Sequence, residues 1–220
     1  MLDARTLRVL TFEAQVPEPV IDAALREEII PDLSRLPDIR HCFAARRGLA
    51  GDELRVIATV WDAGRPVPES PEILLIGAAS RDVRPLLERA KVDELPIEVQ
   101  ARFARAEEAR ILRVFRGHVA AGEMDAYLVE ARTGMLADAS INSGLSAFYL
   151  GTTRPDDFVT VSAWTSWSAI ELATGGDVRR PFVTRNSDRL VSHDVAHFEI
   201  VGEGVALGAA DPEDPTQPES

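Results

Sequence analysis

Two histidines, His118 and His197, suit acid–base chemistry near neutral pH, because the pKa of imidazole lies close to that range. A histidine base can take a proton from an acidic group of a substrate. Such a reaction also needs an apolar cavity and hydrogen-bond donors that hold the anion that results. We predict both histidines as catalytic residues. The predicted substrate-binding residues are Arg116, Tyr149, Trp164 and Arg179.

The elements predicted around these residues are strands. If side chains alternate along a strand over residues 111–119, Val114, Arg116 and His118 lie on one face. Each residue also has a structural interpretation: the tryptophan and the tyrosine suit a core or a lid, each histidine suits a packed or exposed position, and Arg179 suits a solvated helix surface.

Other motifs do not predict a cofactor. His193 and His197 are four residues apart, which on a strand separates them by about 13 Å. That is too far to share a zinc ion with bonds of about 2 Å, so we predict no metal site. The glycines of residues 202–208 have the wrong spacing for a dinucleotide-binding loop. Residues 144–148 lack the second glycine of a nucleophile elbow.

Charge and composition exclude several classes of partner. The net charge of −12 disfavours nucleic acid and anionic membrane surfaces as partners, since both need positive patches. No run approaches the 18 to 20 apolar residues of a membrane span, and the N-terminus has no apolar signal core. Cys42 is the only cysteine, so no intrachain disulfide can form. These features predict a cytoplasmic protein.

The two halves of the sequence resemble each other. Residues 7–10 (LRVL) match residues 112–115 (LRVF), and an amphipathic helical pattern follows each segment. Trp61 then matches Trp167 in this alignment, with two strand-like runs before each tryptophan. Further matches pair residues 82–89 with 177–185 and the predicted closing strands 99–103 and 195–198. Coincidental similarity of two β-rich halves is the alternative.

Each half therefore has the predicted order strand, helix, strand, strand, helix, strand, which is the ferredoxin-like βαββαβ unit. We predict an α+β fold in which two tandem ferredoxin-like modules form an intrachain dimeric α+β barrel. The predicted modules are residues 1–108, with an insertion near 64–70, and residues 109–202. Residues 203–220 form an acidic, proline-rich tail that we expect to be disordered.

Three segments of the second half resemble a known family: residues 113–118 (RVFRGH), 164–170 (WTSWSAI) and 197–201 (HFEIV). They resemble the antibiotic biosynthesis monooxygenase-like group of the dimeric α+β barrel superfamily. The resemblance covers residues 111–202 well and residues 7–105 weakly. Some members of this group oxidise polycyclic phenols with O₂ and no cofactor, and others cleave haem bound to a histidine of the second helix. Residues 170–192 contain no histidine, which argues against haem cleavage.

The resemblance implies a cofactor-independent monooxygenase acting on a small aromatic, phenolic or quinone-like substrate, with the second half as the active one. The alternative is a non-catalytic protein that binds a small molecule or serves as a scaffold, and haem binding without cleavage is a third option. An internal pseudo-dimer is complete as a monomer, although it can also pair again as a homodimer.

Overall fold

Eight antiparallel strands close into a barrel in the computed structural model, which describes residues 5–13, 17–36, 38–47, 54–61, 91–104, 108–135, 144–182 and 189–205. The strands are β1 (Arg5–Glu13), β2 (Ile39–Arg47), β3 (Leu54–Trp61), β4 (Lys91–Ala104), β5 (Ile111–Val119), β6 (Leu145–Arg154), β7 (Asp157–Trp164) and β8 (Leu190–Val205). β8 ends three residues beyond the predicted module boundary at 202. The predicted insertion, the segment 82–89 and residues 206–220 lie outside the described residues.

Both halves have the same strand order. The sequence around the barrel is β1-β3-β2-β8-β5-β7-β6-β4, so the first four strands run β4-β1-β3-β2 and the last four run β8-β5-β7-β6. The halves meet where β2 pairs with β8 and where β4 pairs with β6. The α+β class predicted from the sequence is confirmed.

The described helices cover the outside of this barrel. The first half contains α1 (Glu18–Ala24), a π-helical turn (Leu25–Ile29) and α2 (Ile30–Ser34), and the second contains α3 (Met124–Glu130), a π-helical turn (Ala131–Met135) and α4 (Trp167–Thr174). None of them is long and apolar enough to cross a membrane.

Strand alternation divides the apolar residues between the barrel interior and the helix-covered outer face. The interior cluster includes Leu7, Phe43, Leu112 and Val161. Two further clusters lie on the outer face, one in each half, where the helices pack. A side chain of β5 or β7 therefore faces either the interior or the helices of the second half, and its position along the strand decides which.

Two sequence predictions about the end of β7 need correction. The strand ends at Trp164, and α4 begins at Trp167 with its first turn capped by Ser166, whose hydroxyl accepts from the Ala169 N–H. Ser168 and Glu171 have the spacing of a capping box, which predicts a cap at Ser168, but Ser168 lies inside the helix. The register pairs Ile39 with Trp61 and Leu145 with Trp164, so the structural counterpart of Trp61 is Trp164 and not Trp167. Gly175 ends α4 at φ 70°, as the Gly175–Gly176 pair in the sequence predicts.

A close helix–strand approach at Gly204 predicts a measurable stability effect. A methyl group at this position would overlap the Ser34 hydroxyl of α2 and lie 3.0 Å from Cys42 Sγ. We expect Gly204→Ala to destabilise the protein by about 1–3 kcal/mol, because overpacking forces such contacts apart. Adding Ser34→Ala removes the overlapping oxygen and should recover part of the loss in urea denaturation. Equal stability of Gly204→Ala and wild type would contradict this packing.

Candidate functional site

His118 and Arg116 lie at one end of the barrel. Both belong to the same face of β5 as Val114, as the alternation predicted, and Val114 belongs to the interior cluster. His118 Nδ1 lies 2.8 Å from Asp157 Oδ1, and the histidine side chain is 45% exposed. Arg116 is 43% exposed and lies 3.8 Å from Asp194. This histidine is oriented by a carboxylate, but water surrounds much of it.

Tyr149 is buried inside the barrel, where it belongs to a polar chain that the sequence analysis missed. Its hydroxyl lies 2.8 Å from His41 Nδ1, and His41 Nε2 lies 2.8 Å from Glu203 Oε1. These three residues come from β6, β2 and β8, so the chain joins the two halves. The sequence signal for His41 is its alternation with Phe43, which predicts that both side chains point inward. The hydrogen-bond partners of His41 are 108 and 162 residues away in the sequence, so local alternation does not indicate them.

Trp164 lies on the opposite face of the sheet, beneath the α4 side, and is 1% exposed. Its indole N–H donates to Ser162 Oγ at 2.9 Å. Because that is the only N–H of the ring, Trp164 cannot donate to a substrate while this bond persists. Its ring packs against Phe182 with a centroid distance of 5.5 Å. Trp164 therefore offers an apolar wall in place of the predicted donor.

His197 also faces outward, next to a buried arginine. Arg113 and His197 are direct neighbours across the β5–β8 pair. Within the described part of the chain, neither Arg113 Nε nor His197 Nε2 has a hydrogen-bond partner, although both atoms are buried. Buried polar groups are nearly always satisfied, so two orphaned atoms on adjacent strands mark a candidate site.

The environment of His197 keeps its imidazole neutral. Burial, and to a smaller extent the positive charge of Arg113, together lower the pKa of His197 to about 4. Trp167, at the start of α4, covers one side of the ring with a centroid distance of 5.2 Å. At pH 7 the histidine is therefore an acceptor for a proton, while the neighbouring guanidinium is a donor.

Arg113 is 1% exposed and lies between two aromatic rings. Its guanidinium carbon is 5.1 Å from the Phe115 centroid and 4.8 Å from the Phe182 centroid. Nη2 donates to the Arg180 carbonyl at 2.6 Å, and no carboxylate among the described residues pairs with the guanidinium. Burial lowers the pKa of Arg113 to about 10, so it remains charged at pH 7.

The six predicted residues thus lie in separate places. His118 and Arg116 are at the barrel end, Tyr149 is inside, and Trp164 and His197 are on the outer face. Arg179 is exposed in the turn after α4, where its backbone N–H donates to Asp177 Oδ1 at 3.0 Å. Arg113 was not among the predicted site residues, although the match of residues 7–10 with 112–115 contained it. The available signal was an arginine between Ile111 and Phe115 on the outward face of β5.

Metal and haem ligands can be compared with these positions. No three His, Cys, Asp or Glu side chains in the described ranges are grouped to hold a metal ion. α4 carries no histidine, so the ligand that the resemblance implies for haem-cleaving members is missing from that helix.

Comparison with known proteins identifies the architecture. No protein-family model and no curated protein matches the sequence. Among solved structures, a "putative monooxygenase" from Lactobacillus acidophilus NCFM has 10% identity and a TM-score of 0.72, with 92% of this chain and 97% of that chain covered. A "putative monooxygenase" from Fusobacterium nucleatum subsp. nucleatum has 14% identity and a TM-score of 0.67, with 93% and 96% covered. An anthrone oxidase-like protein has 13% identity and a TM-score of 0.57, with 95% and 98% covered. At these identities the similarity concerns the fold, and over most of its length this chain has the fold of those three proteins.

Proposed function

We propose that this protein is a monooxygenase-type enzyme that oxidises a small phenolic or quinone-like aromatic compound, and that the reaction takes place on the outer sheet face of the second half. The observation that carries the proposal is the juxtaposition of Arg113 and His197, both with an orphaned buried nitrogen. The names of the structural neighbours support the reaction class. The alternative site, at His118, has a side chain that is nearly half exposed.

Arg113 fits the role of the anion clamp. A buried charge without a counterion is costly in the ligand-free protein, so the site favours a ligand that brings a negative oxygen. The guanidinium presents several N–H donors in one plane, and Nε is unused. The rings of Phe115, Phe182 and Trp164 supply apolar surface around it. A planar aromatic molecule with an acidic hydroxyl combines both requirements.

His197 fits the role of the base. Its neutral imidazole accepts the proton of the phenol or of an adjacent activated carbon, while Arg113 stabilises the oxyanion. Binding of the anion offsets the charge of Arg113, which raises the basicity of His197 as the proton moves. The substrate anion then reduces O₂: a methylene carbon becomes a carbonyl, one oxygen atom enters the product, and the other leaves as water with both hydrogens. This balance needs no reductant other than the substrate.

The proposal includes that the reaction needs no cofactor, because the substrate itself supplies the electrons that reduce O₂. Oxygen uptake by the purified protein tests it, with a panel of anthrones, polycyclic phenols and quinols, in the presence and absence of a metal chelator. Chelator-resistant uptake with one oxygen atom of ¹⁸O₂ in the product supports it. Tight binding of these compounds without oxygen uptake would instead favour the non-catalytic ligand-binding alternative, which the unsatisfied Arg113 also suits.

We also infer that the two halves are copies of one ferredoxin-like module that pair as an intrachain dimer. The same register shift follows Ile39 in β2 and Leu145 in β6. The π-helical turns occupy the same place in both halves, each starting seven residues after the helix begins. Irregularities at matched positions are what a common origin predicts, and they support a barrel that one chain completes.

The pH dependence of His197 provides a test that does not require a substrate. Because folding lowers the pKa from 6.5 to about 4, the unfolded chain binds a proton that the folded protein does not bind over that range. The stability contributed by neutral His197 is therefore complete above about pH 6.5 and falls as the pH is lowered to about 4. NMR titration of the His197 ring should give a midpoint near 4, and Arg113→Met should raise it. A midpoint near 6.5 in the wild type would contradict the buried, neutral base.

A further inference from the structure

The outer face of the first half carries residues that are equivalent to Arg113, Ser162 and Trp164 of the second half. Arg8 faces Thr59 across the β1–β3 pair, and Arg113 faces Ser162 across the β5–β7 pair. Both arginines are buried, at 4% and 1% exposure. The equivalence follows from the strand registers and does not depend on the overall similarity of the halves.

The tryptophans extend this equivalence to a hydrogen bond. The Trp61 indole N–H donates to Thr59 Oγ1 at 2.8 Å, as that of Trp164 donates to Ser162 Oγ at 2.9 Å. Each bond joins residues two apart on the third strand of a half and fixes the indole ring against the outer face. A buried arginine beside a fixed indole plane therefore occurs twice in the chain.

The first half has no counterpart of the proton acceptor His197. Arg113 pairs with His197 across β5–β8, whereas Arg8 pairs with Pro96 across β1–β4. Proline has no side-chain group that can take a proton. The ring of Phe115 lies beside the Arg113 guanidinium, and Leu10 occupies the equivalent position in the first half. The first half therefore also lacks one aromatic contact to a bound ligand. The first half keeps the buried arginine and the fixed indole and lacks the base.

We propose that the first half contains a second binding site, formed around Arg8 and Trp61, that takes the same class of planar aromatic anion as the second half and does not turn it over. The guanidinium of Arg8 has five N–H donors, so it can keep a protein partner and still bind an oxyanion. The loss of the ring at position 10 predicts weaker binding here than at Arg113. This inference rests on the proposed function for its ligand class.

The three tryptophans of the chain make the test specific to each half. Each indole N–H gives one resonance in a ¹⁵N–¹H spectrum, and replacement of Trp61, Trp164 and Trp167 by phenylalanine one at a time assigns them. The probe is dihydroxyanthraquinone, an acidic planar phenol, titrated into the full-length protein. We expect the Trp164 resonance to shift first and the Trp61 resonance to shift at higher concentration, since ring-current shifts are local.

Variants separate binding from turnover. Arg8→Gln should abolish the Trp61 shift and leave the Trp164 shift, and Arg113→Gln should do the reverse. In His197→Gln, oxygen uptake should be lost while the Trp61 shift persists. A Trp61 resonance that does not move at saturation of Trp164 overturns the second site and leaves the proposed function intact. If neither resonance moves, both fail. The wild-type titration decides the matter even if Arg8→Gln does not fold.

Discussion

His197→Gln is expected to lower kcat/KM for oxygen uptake by about 10²- to 10⁴-fold, which is the usual contribution of a positioned general base. Glutamine keeps a polar group of similar size on β8 but cannot accept a proton at neutral pH. Because His197 is only partly buried, the fold should survive, and thermal unfolding monitored by circular dichroism checks this. Steady-state oxygen consumption over a range of substrate concentrations measures the effect on kcat/KM.

His193→Gln is the matched control for this substitution. His193 lies on the same face of the same strand but is exposed, with its ring stacked on Phe115 at 5.4 Å. We expect it to change kcat/KM by less than about threefold, as is usual for surface substitutions. A large loss in His118→Gln with full activity in His197→Gln would place the chemistry at the barrel end, beside Asp157.

The class of fold could be predicted from the sequence, and so could the strand face on which several residues lie, because both depend on local alternation. Arg116 and His118 share a face with Val114 as expected, and Gly175 ends α4. Such patterns involve neighbours within a few residues, where the two-residue period of a strand or the left-handed conformation of glycine decides the outcome.

The grouping of the site could not be predicted in the same way. Whether Trp164 and His118 point to the same cavity depends on which face of the sheet meets the helices, and both faces of this barrel are buried. Continuous apolar strands give no sequence contrast between the two faces. The pairing of Arg113 with His197, 84 positions apart in the sequence, depends on the register of β5 against β8.

The alignment of the tryptophans shows a second limit. Equal spacing from Ile39 and Leu145 matches Trp61 with Trp167, but six residues join β2 to β3 and only two join β6 to β7. The same spacing therefore passes Trp164 by three residues, because loop length varies without any strong sequence signal. Only the paired strands reveal that Trp61 and Trp164 are counterparts.

Arg113→Met is expected to weaken substrate binding strongly and to leave the unfolding free energy almost unchanged. It removes the proposed anion clamp, so we expect a loss of about 2–5 kcal/mol in substrate affinity or transition-state binding. The unfolding free energy should stay within about 1 kcal/mol of wild type. The substitution loses the bond to the Arg180 carbonyl but also removes a buried charge that has no carboxylate partner among the described residues.

Arg55→Met provides the contrast, because Arg55 is equally buried but paired. Its Nε donates to Asp22 Oδ1 at 2.9 Å, and both residues are buried. Removing it leaves the buried Asp22 carboxylate with Arg46 beside it, and we expect about 3 kcal/mol of destabilisation in urea denaturation. If Arg113→Met costs as much as Arg55→Met, Arg113 acts mainly by holding the segment around Arg180 against the sheet. If only Arg55→Met is costly, the uncompensated charge at Arg113 is retained for a ligand, because it contributes little to the fold that a methionine would not.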